Sequence, residues 1–243
     1  MWSVFRKELN AFFSSAVGYL AIGVFLVVLG LLLFVFPDTS LLNYPFASLD
    51  QLFDVAPWVF LILIPAVTMR TLAEERQRRT LELLLTHPLT PAQIVVGKYL
   101  ACVTIAVLAL LPTLLYYYTV YELGSPRGNL DAGAIAGSYV GLALLASVFA
   151  AIGLFASSLS SNQIVGFLLA ALLCFLVHYG FEFMSRAPAF VGTLDNLIQQ
   201  LGLEYHYRSI SRGLVLVTDL LYFGSVAAWF LYTTVLTLDA RRA

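Results

Sequence analysis

The sequence predicts an all-α integral membrane protein with six transmembrane helices and an N-terminal helix that lies at the membrane surface. Hydrophobic residues make up 60% of the 243 residues and charged residues only 11%, whereas ordinary soluble domains carry about 25% charged residues. So few polar side chains cannot cover a globule of this size with a wetted surface. The composition therefore argues against a soluble enzyme and a disordered chain. The net charge of -1 gives no reason to expect binding to nucleic acid.

Six apolar runs are long enough to cross a hydrocarbon core of about 30 Å, which takes about 20 residues of helix. The first run carries no charge, and no small-x-small cleavage site follows it, so we expect a permanent anchor rather than a signal peptide. Pro65 should bend the second helix, and Pro112 interrupts the third. We interpret 1–243 as a single transmembrane domain with spans at about 16–36, 56–70, 94–118, 132–159, 163–183 and 214–238.

Basic residues are distributed unevenly between the two sides that these spans define. An even number of spans places both termini on one side, and that side carries nine Lys and Arg against four on the other. Cytoplasmic loops carry the excess of basic residues, so we expect both termini and the loop between spans two and three in the cytoplasm. The nine are Arg6, Lys7, Arg70, Arg76, Arg78, Arg79, Lys98, Arg241 and Arg242; the four are Arg127, Arg186, Arg208 and Arg212.

The residues before the first span have the pattern of an amphipathic helix. Trp2, Phe5, Leu9 and Phe12 recur at helical spacing, with polar residues between them. Such an apolar and partly aromatic face suits a helix that lies in the inner membrane interface. A plain charged leader is the alternative.

The loop between spans two and three changes from a charged helix to an apolar patch. Two i,i+4 pairs favour a helix that continues past span two: Glu74 with Arg78 and Glu75 with Arg79. Four leucines around Glu82 follow, so either lipid headgroups or a partner protein must cover them. A solvated charge run without a partner is the alternative. The next helix should begin with an N-cap, a first-turn proline and a capping-box residue, which are Thr90, Pro91 and Gln93.

Several segments resemble ABC-2 type transporter permeases. The loop contains Glu-Glu and then, from Thr80, Thr-Leu-Glu-Leu-Leu-Leu-Thr-x-Pro-Leu, and it is followed by Gly97-Lys98-Tyr99. The chain also resembles a gliding-motility-associated subgroup called GldF, and this likeness covers nearly the whole chain. The segments that carry it are 56–60, 110–118, 153–159, 209–213 and 219–223.

This resemblance implies a transporter subunit in a bacterial inner membrane that exports a cargo and pairs with a second permease subunit, either a copy of itself or a different chain. A separate ABC ATP-binding subunit would hold the loop as a cytoplasmic coupling helix and transmit its own closure through it. The contact residues that the resemblance implies are Glu74, Glu75, Arg79, Thr80, Leu81, Glu82 and Leu84. Two positions depart from the family pattern: Arg79 replaces a usual glycine, and Thr218 stands where a basic residue often precedes the aspartate.

The chain itself has no pattern of an ATP-binding or catalytic site. The phosphate-cradling pattern G-x-x-x-x-G-K-[ST] does not occur, because Tyr99 follows Gly97-Lys98 and the earlier glycine is missing. We therefore expect ATP hydrolysis in a partner, with no catalytic residue, cofactor or metal site in this chain. One alternative is a structural subunit of a motility or secretion machine. Another is a membrane enzyme, for which only His178 and Glu182 offer candidate groups.

A histidine, an acid and a base recur at i, i+4 and i+8 near the outer end of span five: His178, Glu182 and Arg186. Ionisable groups at membrane depth are costly unless they are paired or face water, so gating or substrate exit is one interpretation. Simple pairing of Glu182 with Arg186 at the interface is the other.

Small residues and breaks mark two further segments. Gly133, Gly137 and Gly141 form a small-xxx-small ladder on span four, which permits close helix packing in lipid, either within one subunit or between two. After span five, residues 187–213 predict short amphipathic helices near the outer leaflet. Arg208 and Arg212 would then be tied to backbone carbonyls or headgroups.

Overall fold

Every secondary-structure element in the described part of the chain is helical. A computed structural model describes residues 1–43, 47–78, 90–187 and 194–240. Its α-helices within these ranges are α1 Trp2–Phe13, α2 Ala16–Phe34, α3 Asp50–Thr68, α4 Ala73–Gln77, α5 Pro91–Leu110, α6 Leu114–Leu123, α7 Ala132–Leu159, α8 Gln163–Phe175, α9 Phe181–Ser185, α10 Asp195–Gln200, α11 Leu203–Ile210 and α12 Val217–Asp239.

Six helical segments in these ranges are long and apolar enough to cross a membrane. The prediction of an all-α fold with six spanning helices is confirmed. The segments are Ala16–Phe34, Asp50–Gln77, Pro91–Leu123, Ala132–Leu159, Gln163–Ser185 and Val217–Asp239.

The second and third spanning segments extend beyond their predicted ends. Helix α3 begins at Asp50 rather than near residue 56, and the Ser48 hydroxyl accepts a hydrogen bond from the Asp50 amide, one of the amides that a helix start leaves unpaired. Helices α5 and α6 are joined by a 3₁₀ turn that contains Pro112. Because proline lacks an amide hydrogen and crowds the preceding turn, it interrupts the helix at this point.

The predicted N-terminal helix is present as α1 and packs against α5. Its buried side chain is Val4, whereas Trp2 of the predicted apolar face is 58% exposed. The two helices approach closely at Gly97, where a Cβ would lie 3.1 Å from the Val4 Cβ. The position of α1 at the membrane surface stays a prediction, and the exposed Trp2 suits it.

Helix α7 forms the centre of the bundle. It packs against α3, α5, α8 and α12, and Leu142, Leu145, Phe149 and Ile152 have no exposed surface. By contrast, α2, α8 and α12 expose many of their apolar side chains. Lipid tails are as apolar as leucine, so such surfaces suit contact with a bilayer.

The fifth span contains a turn of π-helix that hydropathy does not predict. Residues Leu176–Gly180 form this turn between α8 and α9. The wider π turn rotates the helix relative to a regular 3.6-residue repeat. As a result His178 points into the bundle with no exposed surface, while Glu182 and Arg186 remain paired at the rim.

Candidate functional site

Two clusters of charged residues lie at opposite ends of the bundle. We call the end at which α1 begins and α12 ends the terminal end, and the other the opposite end. The terminal end holds the end of α3, helix α4 and the start of α5. The opposite end holds α10 and α11, together with the outer turns of α3 and the fifth span.

At the terminal end, Lys98 of α5 is buried and fully paired. Its side chain is only 1% exposed, and its Nζ lies 2.7 Å from Glu8 Oε1 of α1 and 3.0 Å from Glu75 Oε2 of α4. The same Nζ donates to the Thr71 carbonyl at 2.6 Å. A buried ammonium group is stable only with such compensation. The Lys98 ammonium therefore links three helices: α1, α4 and α5.

Glu75 also binds Lys7, so it connects two lysines. Lys7 Nζ lies 3.0 Å from Glu75 Oε1. Burial acts to lower the pKa of Lys7, but the hydrogen bond and charge of Glu75 outweigh it and raise that pKa above its ordinary value. Two lysines therefore attach α4 to α1. Lys7 of α1 binds Glu75 directly, and Lys98 of α5 binds both Glu75 and Glu8 of α1.

Ser157 attaches α4 to the end of the central helix α7. Its Oγ accepts hydrogen bonds from the Leu72 and Ala73 amides, at 3.2 Å and 3.0 Å, and donates to the Met69 carbonyl at 3.1 Å. A helix start leaves amides unpaired, so this one hydroxyl serves as a cap supplied by another span. Arg76 adds a second link by donating to the Leu159 carbonyl at 3.0 Å.

The predicted coupling residues fall into two groups. Glu74 pairs with Arg78 at 2.8 Å, as the i,i+4 spacing predicts. Glu75 is 13% exposed and faces the bundle through Lys7 and Lys98. The other predicted contact residues lie outside the described residues: Arg79, Thr80, Leu81, Glu82 and Leu84. The predicted helix start after this segment is confirmed, since Thr90 and Gln93 form a reciprocal capping box around Pro91.

At the opposite end, ion pairs form a chain from the rim to the interior. Arg186 pairs with Glu182 at 2.6 Å, and Arg208 pairs with Glu182 at 2.7 Å and with Glu204 at 2.8 Å. Glu204 Oε2 then lies 3.0 Å from His178 Nε2. The structure therefore brings all three predicted gating residues together with Glu204, which the sequence did not indicate, and Arg208, for which it indicated other partners.

This chain of ion pairs fixes α11 to the fifth span. Arg208 binds carboxylates here, rather than the carbonyls or headgroups that the sequence suggested. Burial alone would raise the pKa of Glu204, but the hydrogen bonds and charges of His178 and Arg208 hold that pKa below its ordinary value. Two neighbours, His178 and Arg208, therefore stabilise the carboxylate form of Glu204.

Helix α11 also binds the second span, at a backbone carbonyl that Pro57 leaves without a donor. Pro57 has no amide hydrogen, so the carbonyl of Phe53, four residues earlier, has no donor within α3. The Tyr207 hydroxyl donates to that carbonyl at 2.7 Å. On its far side, α11 is held to α12 by His206, whose Nδ1 lies 2.7 Å from Asp219 Oδ1.

The glycine ladder of α7 faces the same α11 region. A Cβ on Gly141 would lie 2.6 Å from the Ile210 side chain, and one on Gly137 would lie 3.1 Å from the Cα of Gly213. Gly213 itself has a φ of 82°, which favours glycine. Gly133 meets only the Asp131 carboxylate at the helix start, at 3.3 Å. The contacts of Gly137 and Gly141 thus lie within the chain.

The described residues bring no group of three or more metal-binding side chains together. What the two clusters can do chemically is hold helices in place through charge. Each attaches a short helix, α4 or α11, to several spans at once.

The described part of the fold has the six long apolar helices of a multi-pass membrane protein. A family model described as ABC-2 family transporter protein matches residues 36–202, more than half of the chain. The chain belongs to this family, whose members are membrane subunits without catalysis of their own and work with ABC ATP-binding subunits. The matched range includes Glu75 and Lys98 at the terminal end and His178 at the opposite end. No curated protein matches the chain.

Proposed function

We propose that this chain is the membrane-spanning subunit of an ABC transporter that exports a still unidentified substrate, driven by ATP hydrolysed in a separate ATP-binding subunit. Two permease subunits, identical or different, would form the transport unit. The bacterial inner membrane would hold it, with both termini and the α4 region in the cytoplasm. The likeness to the gliding-motility-associated GldF subgroup supports a role in gliding or secretion.

The observation that carries this proposal is the attachment of α4 to the rest of the bundle. Helix α4 directly precedes the segment 79–89, which includes the proposed contact residues for the ATPase. Its start is capped by Ser157 of α7, and Glu75 joins it to Lys98 of α5. A push on this segment would therefore reach α1, α5 and α7 together.

Glu74 and Glu75 take different parts in this mechanism. Glu74 lies on the more exposed side of α4, paired with Arg78, and is available to a partner. Glu75 faces inward and would pass the displacement to Lys98. At the opposite end, His178, Glu182 and Arg186 would act as a gate, because their ion-pair chain joins the fifth span to α11.

Co-purification from detergent-solubilised membranes of the native host tests the proposal. The wild-type chain should retain an ABC ATP-binding subunit, and a Glu82→Arg/Leu84→Asp variant should lose it. The matched control is Asp195→Arg/Leu197→Asp, which makes the same charge changes at the same spacing on α10 at the opposite end. The control should retain the ATPase.

Three results would contradict the proposal. They are the absence of any ATPase with the wild type, its retention by the Glu82→Arg/Leu84→Asp variant, and its equal loss from the α10 control. The first two would favour a structural membrane subunit that works without an ATPase at this loop. The third would mean that the loss reflects general disruption of the fold.

A further inference from the structure

A cavity of about 860 Å³ lies at the opposite end of the bundle. Its walls come from the first turns of α3, from the π turn and α9 of the fifth span, and from α11. It is lined by charged side chains of both signs and by aromatic rings. A space of this size is large enough to hold a small ligand.

Three of the lining charges form no ion pair among the described residues: Asp50, Asp54 and Arg212. The glutamates of the wall are already occupied by the chain of ion pairs to Arg186, Arg208 and His178. Asp50 lies in the first turn of α3, where a carboxylate stabilises the helix dipole. Asp54 lies one turn further in, where the dipole gives no reason for an acid.

The unpaired charges lie on different walls of the cavity. Asp54 belongs to α3, and Arg212 follows α11. The charges of Arg208 and Arg212 both act on Asp54, but neither guanidinium forms a salt bridge with it. The Asp54 and Arg212 side chains are both exposed to solvent, so a ligand in the cavity can reach each of them. A ligand that carries both signs would compensate both groups at once.

An aromatic wall lies one helical turn below Asp54. Trp58 is about half exposed and stacks on Tyr179, with ring centroids 4.2 Å apart and planes inclined by 19°. Both rings line the cavity. A cation is attracted to an aromatic face, most strongly to that of tryptophan. The wall with Asp50, Asp54 and Trp58 therefore suits an ammonium group.

We propose that this cavity binds a zwitterionic group, with its ammonium against Asp54 and Trp58 and its anionic end against Arg212. Phosphoethanolamine has this chemistry, either as a soluble group or as the headgroup of phosphatidylethanolamine. The site goes beyond the proposed function and does not rest on it, because binding is measured on this chain without an ATPase.

Fluorescence of Trp58 tests the proposal in the detergent-purified full chain. The chain has three tryptophans, so Trp2→Phe and Trp229→Phe leave Trp58 as the reporter. Phosphoethanolamine should change its emission in a saturable way, at lower concentration than ethanolamine or inorganic phosphate alone. Nanodiscs with phosphatidylethanolamine, compared with phosphatidylglycerol, show whether the group is a lipid headgroup.

Substitutions on the two walls should separate the two ends of the ligand. Asp54→Asn should weaken ethanolamine and phosphoethanolamine binding about tenfold, which is ~1.4 kcal/mol, and leave phosphate binding unchanged. Arg212→Gln should weaken phosphate and phosphoethanolamine but not ethanolamine. Asp54→Glu, which keeps the charge, and Asp195→Asn, which lies outside the cavity lining, should bind as the parent does.

Each outcome of these binding experiments either supports the site or overturns it. A saturable response with this substitution pattern supports the site, and the same pattern seen only with phosphatidylethanolamine nanodiscs supports it with a lipid as the source. A cavity that holds only water would give no saturable response to any probe, and that result would overturn the proposal. So would a response that Asp54→Asn leaves unchanged.

Discussion

Neutralising both carboxylates around Lys98 should destabilise the protein strongly, and removing the ammonium as well should restore stability. Lys98 Nζ lies 2.7 Å from Glu8 and 3.0 Å from Glu75. At about 3 Å and an effective dielectric constant of about 20, each carboxylate supplies about 5 kcal/mol of attraction. Much of this is offset by desolvation of the charges.

Glu8→Gln/Glu75→Gln leaves a buried ammonium without a counter-charge among the described residues, with only neutral acceptors such as the Thr71 carbonyl and the glutamine amide oxygens around it. We expect the free energy of unfolding to fall by about 3–5 kcal/mol, the usual result of breaking a buried ion pair from one side. Lys98→Met alone should also destabilise, because it leaves the Glu8 carboxylate without its partner, whereas Glu75 keeps Lys7. The triple variant replaces the whole set and should lie within about 1 kcal/mol of the wild type.

Unfolding in mixed detergent micelles, followed by circular dichroism, measures these free energies. A triple variant whose loss equals the sum of the losses from Lys98→Met and from the glutamine pair would refute the reasoning. That result would mean that the three side chains act independently rather than as one compensated set.

Three further results are expected from the same unfolding assay. Ser157→Ala should cost about 1–3 kcal/mol, because it leaves two buried amides at the start of α4 without an acceptor; Ser161→Ala, on the exposed turn after α7, should change little. Gly213→Ala should destabilise, since φ is positive and a Cβ would lie 2.4 Å from the Ala134 Cα, whereas Gly23→Ala has open space and should be tolerated. The pKa of Glu204 is lowered in the folded state, so its ion pairs stabilise the protein above the ordinary carboxylate pKa of 4.5 and are lost as the pH falls through the lower folded value. Glu204→Gln should therefore be less stable than the wild type near neutral pH, and the difference should vanish under strongly acidic conditions; a constant difference at all pH values would contradict this.

The spanning helices could be predicted because hydropathy alone encodes them. Each needs about 20 apolar residues, and each apolar run of the sequence became one. The helix start at Thr90 was predictable for a different reason: its capping bonds are local, within four residues. The start of α3 was missed because Asp50 and Asp54 interrupt the apolar pattern without interrupting the helix.

The charged clusters could not be predicted, because their members are far apart in the chain. Glu8 and Lys98 lie 90 residues apart. No local spacing indicates that pairing, so Lys98 could be counted among the basic residues and placed in a family motif, but it could not be given a partner. Similarly, His178 fits a regular i,i+4 pattern with Glu182. The π turn gives it Glu204 as a partner instead, and hydropathy carries no signal for such a turn.

The hydrogen bond from Tyr207 to the Phe53 carbonyl has a consequence for motion in the bilayer. In water, a carbonyl released from such a bond finds a new partner at once. In hydrocarbon it does not, and an unsatisfied backbone group costs several kcal/mol. Helix α11 can therefore move outward in two ways: it takes the first turns of α3 with it, or water reaches the depth of Pro57. In the second case the displacement of α11 hydrates the second span, and solvent exchange at the Phe53–Pro57 turn should reveal it.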